Sequence, residues 1–148
     1  MAEAPPAARP PDAPPVGDAH HTDPPPEFLP LLDAVGGRPL LIGKSRGTNA
    51  AAAAAERSLP AVWLTPLLRM PWVAEALRRA TAPFLLVGGT ADPVWDGDLS
   101  RRLSPHVWEV EGADHGMYVP GPLTESIAVL SRVVVAVEEF LDAIDWPG

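Results

Sequence analysis

The sequence predicts an α/β domain, a small, mainly parallel sheet of about four strands flanked by helices. Three observations carry this. The short unbroken apolar runs PLLIG, LPAVWLT and PFLLVGG read as strands covered on both faces. Segments of helical composition or spacing stand between and after them. The order is helix, then strand and helix in alternation, which calls for right-handed crossovers between neighbouring strands.

Taken in order, the chain opens on a biased segment. Half of its 20 prolines lie in the first thirty residues, and MAEAPPAARPPDAPPVGDAHHTDPPP has little to bury and few free N–H groups. Residues 1–26 are therefore expected to be a disordered, polyproline-like tail, and residues 27–148 the single domain. His20 and His21 stand in that tail without other ligands near them and read as solvated.

EFLPLLDAVGG reads as a short helix. Phe28, Leu31, Leu32 and Val35 recur at helical spacing, Pro30 is tolerated in the first turn, and Gly36 and Gly37 end it. PLLIG (39–43) is the first strand, and TNAAAAAAERS a helix former whose small side chains let it lie close to a sheet. LPAVWLT (59–65) is the second strand. WVAEALRRA (72–80) follows Pro71, which suits a first helical position. PFLLVGG (83–89) is the third strand, DGDLSRRLS a short helix and HVWEVEG (106–112) the fourth strand. In the last helix Ile127, Leu130, Val134, Val137, Leu141 and Ile144 form one apolar stripe, the expected core face.

Composition excludes several classes. At 148 residues the chain is long enough for one cored domain. It has no cysteine, which removes disulfides and thiolate-bound metals and fits a reducing, cytoplasmic setting. Its apolar runs fall well short of the ~18 residues of a membrane span. No basic region followed by an apolar stretch marks a secretory signal. A net charge of −8 with no basic patch argues against nucleic acid or an anionic membrane as partner. Lys44 is the one lysine among 11 basic residues; arginine, alanine and proline dominate, as in GC-rich bacterial genomes.

The stretch LIGKSRGTNA carries two overlapping signals. GKS ends a phosphate-binding loop, but that loop needs glycine five residues before Gly43, where Arg38 stands. The intervening RPLLI is strand-like, so its N–H groups are committed to a sheet. The second reading fits better. Gly43, Lys44, Ser45, Arg46 and Gly47 match G-x-S-x-G, preceded by a strand and followed by a helix former. A serine on such a strained turn is lifted clear of the sheet, glycines flank it for space, and the helix N-terminus points at it. An acid and then a histidine are needed after later strands. Asp92 stands in VGGTADPVWD beyond the third strand, and His115 in VEGADHGM beyond the fourth.

With these three motifs in order, residues 27–145 resemble the α/β-hydrolase superfamily, most closely its small bacterial, dienelactone-hydrolase-like members, over the C-terminal half of that fold. The resemblance implies a triad: Ser45 attacks an acyl carbonyl, His115 shuttles the proton, and Asp92 orients the imidazole. The backbone N–H of Arg46 is one oxyanion donor. No metal and no cofactor are implied, and the substrate is a small acyl compound. Asp96 is the fallback acid, His106 is a poor substitute for His115, and Asp114 reads as solvated. Trp95, Met117 and Tyr118 either line an acyl pocket or simply pack; Trp63 and Trp72 are assigned to core or cap. Lys44 and Arg46 either favour a carboxylate-bearing substrate or are solvated.

The resemblance also marks departures. A whole α/β-hydrolase carries more strands before the elbow and takes its second oxyanion N–H from a loop after an early strand. Two expectations stand side by side. One is a serine hydrolase acting on a small ester. The other is a catalytically weak or inactive truncated domain that needs a partner chain to complete its sheet. Strand 39–43, an apolar edge without charges or bulges, is expected to pair with another chain, a homo-oligomer included.

Overall fold

The computed structural model describes residues 28–148; the proline-rich segment expected to be a tail, with His20 and His21, lies outside the described residues. The elements are α1 (Phe28–Val35), β1 (Leu41–Lys44), a 3₁₀ turn (Ser45–Ala50) running into α2 (Ala51–Arg57), and β2 (Ala61–Leu64). Then follow α3 (Pro71–Arg79), β3 (Phe84–Gly89), α4 (Gly97–Leu103), β4 (His106–Val110) and α5 (Leu123–Ala143). Local chemistry sets the boundaries. Pro71 opens α3 where its missing N–H has no cost. The Asp96 carboxylate caps α4 by accepting from the Leu99 N–H at 2.9 Å.

The four strands form one sheet in chain order, and every pair is parallel. Alternation along the strands divides the core between its two faces. Trp63, Phe84 and Leu86 meet the alanines of α2, Val73 and Leu77 of α3, and Trp95. Val62, Leu85 and Val87 meet Val129, Val133 and Phe140 of α5. Ala51 to Ala54 are all buried, so α2 uses its lack of side chain to lie against the sheet. β3 is buried along its whole length, as its continuous apolar run requires.

Two expectations about coverage are corrected. β1 is covered on one face only, and Ile42 is 61 % exposed. Ile42 pairs with Val62 and shares its face, the one α5 covers, but α5 makes its main contacts with β3 and β4. The apolar stripe of α5 is also shifted. Val129, Val133, Ala136 and Phe140 are buried, whereas Ile127, Leu130 and Val134 of the predicted stripe are exposed; Val137, Leu141 and Ile144 are partly buried. α5 carries two adjacent apolar rows, and helical spacing alone does not rank them. Phe140, outside the predicted stripe, anchors the docked row by meeting the His106 ring edge-on, 5.1 Å between centroids. Among the described residues no helix is long and apolar enough to cross a membrane.

Candidate active site

The candidate residues stand at the C-terminal ends of the strands. β1 stops at Lys44 and the 3₁₀ turn starts at Ser45 with no residue between them. Ser45 has φ 52°, in the left-handed region that costs a non-glycine residue about 1–2 kcal/mol. Its surroundings hold the bend. A β-carbon at Gly43 would sit 2.7 Å from the Trp63 ring and 2.8 Å from the Gly47 carbonyl oxygen, so only glycine fits. Buried Thr48 donates its hydroxyl to the Ser45 carbonyl and accepts from the Leu67 N–H at 3.3 Å. A β-carbon at Gly47 would meet nothing within 4 Å. The expectation that both flanking glycines are needed for space therefore applies to Gly43 alone.

β3 ends in Gly88 and Gly89, and each permits a close approach. Gly88 lies under the Trp95 indole and Gly89 against the backbone of Ala113. Trp95 is thus a core residue, 5 % exposed, whose indole N–H donates to Glu109 at 2.8 Å. It braces the loop that carries Asp92, in keeping with the second of the two readings given for it, packing. The loop closes through Asp92 N–H to the Gly89 carbonyl at 3.1 Å and Ala91 N–H to the Ala113 carbonyl at 3.0 Å.

The Asp92 side chain is fully buried and His115 is 40 % exposed. One Asp92 oxygen, Oδ1, accepts from the Val94 N–H at 3.0 Å; Oδ2 faces His115 Nδ1 at 2.7 Å. His115 Nε2 lies 2.8 Å from Ser45 Oγ. A carboxylate only accepts, so Nδ1 carries the proton, which leaves Nε2 of the neutral ring as the acceptor for the Ser45 hydroxyl. The arrangement can therefore move a proton off Ser45 and hold the resulting imidazolium beside a buried carboxylate.

The histidine loop is built by residues that motif reading undervalued. Asp114 is exposed, as expected, but it is not merely solvated: its Oδ1 accepts from the N–H groups of Gly116 and Tyr118, both at 2.9 Å. An aspartate two residues before a glycine is the available signal for such a turn. Lys44 Nζ donates to the His115 carbonyl at 3.4 Å, tying the elbow to this loop. Thr48 carried no comparable signal. Met117, at φ 67°, is partly buried against the α5-side core, and Tyr118 is 57 % exposed. Asp96 is occupied as the cap of α4 and His106 is stacked on Phe140, so neither joins the group at Ser45. Trp63 is core, and Trp72 is partly buried with its indole N–H on Asn49 at 3.1 Å.

The Arg46 side chain is exposed. Its N–H lies in the first turn of a helix, where backbone donors have no intrahelical acceptor. Among the described residues no three histidine or acidic side chains converge to hold a metal. Surface grooves between β4 and α5 (Trp108, Glu111, Val119, Arg132) and along α3 (Trp72, Arg78, Leu99) include none of Ser45, Asp92 and His115.

No family model matches the chain, and no curated protein is significantly similar to it. Among solved structures it is similar to an α/β serine hydrolase homologue from Coxiella burnetii, at 24% identity and a TM-score of 0.43. The alignment covers 51% of this chain and 40% of that one, so the chain spans less than half the length of this neighbour. A likeness that distant assigns no activity.

Proposed function

We propose that the chain is a serine hydrolase of the α/β-hydrolase type that cleaves a small ester or related acyl compound through an acyl-enzyme on Ser45. The observation that supports it is the hydrogen-bonded line from Ser45 Oγ to His115 Nε2 (2.8 Å) and from His115 Nδ1 to Asp92 Oδ2 (2.7 Å), with the serine on a strained bend. Oγ bonds to the acyl carbon as Nε2 takes its proton, and the Arg46 N–H receives the oxyanion. The bond to the leaving group then breaks, and the departing oxygen takes the proton from Nε2. Water repeats the sequence and releases the carboxylic acid. No metal or cofactor takes part in this scheme, and a cysteine-free chain fits a reducing cytoplasm.

A second reading has its own support. Among the described residues no strand pairs with the outer edge of β1 beside Ser45, and Ile42 stands exposed there. On this reading the domain is weak or inactive alone and needs a partner chain beside β1. An oxyanion hole with one donor fewer loses about 2.7–4 kcal/mol of transition-state stabilisation, on the order of 10²–10³ in rate.

A fluorophosphonate probe separates the two. On the hydrolase reading it labels Ser45, Ser45→Ala abolishes labelling, and p-nitrophenyl acetate turnover falls with it. Folded protein that takes no label and shows no turnover above buffer supports the second reading.

A further inference from the structure

We propose that Glu109 is a positioning residue for Asp92, acting through Trp95. The catalytic part given to Asp92 rests on the hydrolase reading; the contacts do not. Gly88 and Glu109 are register partners on β3 and β4. By alternation from Leu86 and Val107, both face the side of the sheet that α2 and α3 cover. The Trp95 indole lies over Gly88, and its N–H donates to the Glu109 carboxylate at 2.8 Å. One strand supplies the seat of the ring and its neighbour the acceptor.

Trp95 also closes the turn that carries Asp92. Its backbone N–H donates to the Asp92 carbonyl at 3.2 Å, and the Val94 N–H donates to Asp92 Oδ1 at 3.0 Å. Fixing the indole therefore fixes residues 92–95, and with them the direction in which Oδ2 meets His115 Nδ1 at 2.7 Å. Apolar packing alone lets a flat ring slide over a glycine, which has no side chain to stop it. A hydrogen bond to a carboxylate is directional and roughly twice as strong as one between neutral groups. It removes that freedom.

Glu109 is itself held. Its Oε2 accepts from Arg101 at 3.5 Å, and Arg101 also pairs with Asp98 at 2.9 Å; both contacts are exposed and add little. A β-carbon at Gly97 would collide with the same oxygen, so glycine there keeps room for the carboxylate beside α4. A partner for a buried indole is not automatic in this fold. Among the described residues the buried Nε1 of Trp108, the sequence neighbour of Glu109, has none. The pairing falls on the ring that adjoins the Asp92 turn. Without its acceptor the Trp95 N–H would be left unpaired in the core, which costs more than the bond itself contributes. The ring would then shift toward another acceptor and take residues 92–95 with it.

Glu109→Met, which removes the acceptor, and Glu109→Gln, which keeps one, test this in the full chain. Fluorophosphonate labelling of Ser45 should slow about tenfold or more in Glu109→Met and stay within about threefold of wild type in Glu109→Gln. Amide hydrogen exchange reads the turn without any chemistry. In Glu109→Met, exchange at Val94 and Trp95 should quicken about tenfold more than at Thr65, whose N–H is bonded to the Val87 carbonyl at 2.7 Å. Trp95→Phe keeps a ring over Gly88 without the donor and should release the turn in the same way, should Glu109→Met fail to fold. Equal acceleration at all three amides would mean a general loss of stability and overturn the proposal. So would wild-type exchange at Val94 and Trp95 in Glu109→Met or Trp95→Phe, or a Glu109→Gln variant no better than Glu109→Met. A wild-type chain that takes no label counts against the hydrolase reading, and the exchange comparison then decides the role of Glu109 by itself.

Discussion

Gly89 lies flat against the backbone of Ala113, with no room for a side chain between them, and the Ala91 N–H donates to the Ala113 carbonyl at 3.0 Å. This contact joins the loop after β3 to the loop after β4, and so carries His115 to within 2.7 Å of Asp92. The carboxylate and imidazole meet because a glycine ends the central strand.

Gly89→Val should therefore separate the two loops. The expected outcome is a loss of stability of about 1–3 kcal/mol from overpacking, read as a lower urea midpoint, with fluorophosphonate labelling slowed at least tenfold in the fraction still folded. Unchanged labelling would show that the histidine reaches Asp92 without this approach.

The two glycines of the elbow should behave differently. Gly43→Ala drives a β-carbon into Trp63 and the Gly47 carbonyl, and should cost about 1–3 kcal/mol. Gly47→Ala meets open space and should be neutral, or stabilising by up to about 1 kcal/mol in a helical turn. Thermal melts of the pair check this, and equal losses would contradict it.

Asp92→Asn should lower kcat for p-nitrophenyl acetate by about 10³–10⁴-fold, because an amide no longer holds the imidazole in the tautomer that accepts from Ser45. Asp96→Asn should leave kcat unchanged, since that side chain only caps α4.

Asp114 acts on His115 through the loop. Asp114→Ala removes the acceptor for the Gly116 and Tyr118 N–H groups and should reduce kcat by roughly tenfold with KM little changed, a loss of positioning. Asp114→Asn keeps an acceptor oxygen and should restore most of the rate. Failure of that rescue would point to the charge of Asp114 instead of its hydrogen bonds.

Much of this arrangement is legible in the chain. PLLIG, LPAVWLT and PFLLVGG become strands because each is a short apolar run bounded by turn residues, and their boundaries shift only by a residue or two. Ser45, Asp92 and His115 could be singled out because each follows a strand, and parallel strands deliver all their C-terminal loops to one rim. What composition does not encode is which apolar surface meets which. The Ile127 and Val129 rows of α5 are equally periodic, and only docking against β3 and β4 buries the second. Trp95 beside Asp92 reads in one dimension equally as a pocket wall or as packing. The close approach to Gly88 that makes it a strut involves residues seven positions apart. Ile42 reads as core because hydropathy cannot say which face of a strand is left without a covering helix.

The left-handed backbone at Ser45 has a longer-range consequence. Glycine adopts that conformation without penalty, so Ser45→Gly should make the domain more stable, by about 1 kcal/mol, while removing the hydroxyl. In a lineage no longer selected for chemistry, drift would be drawn toward glycine at this position. A serine retained there is held against the fold's own preference.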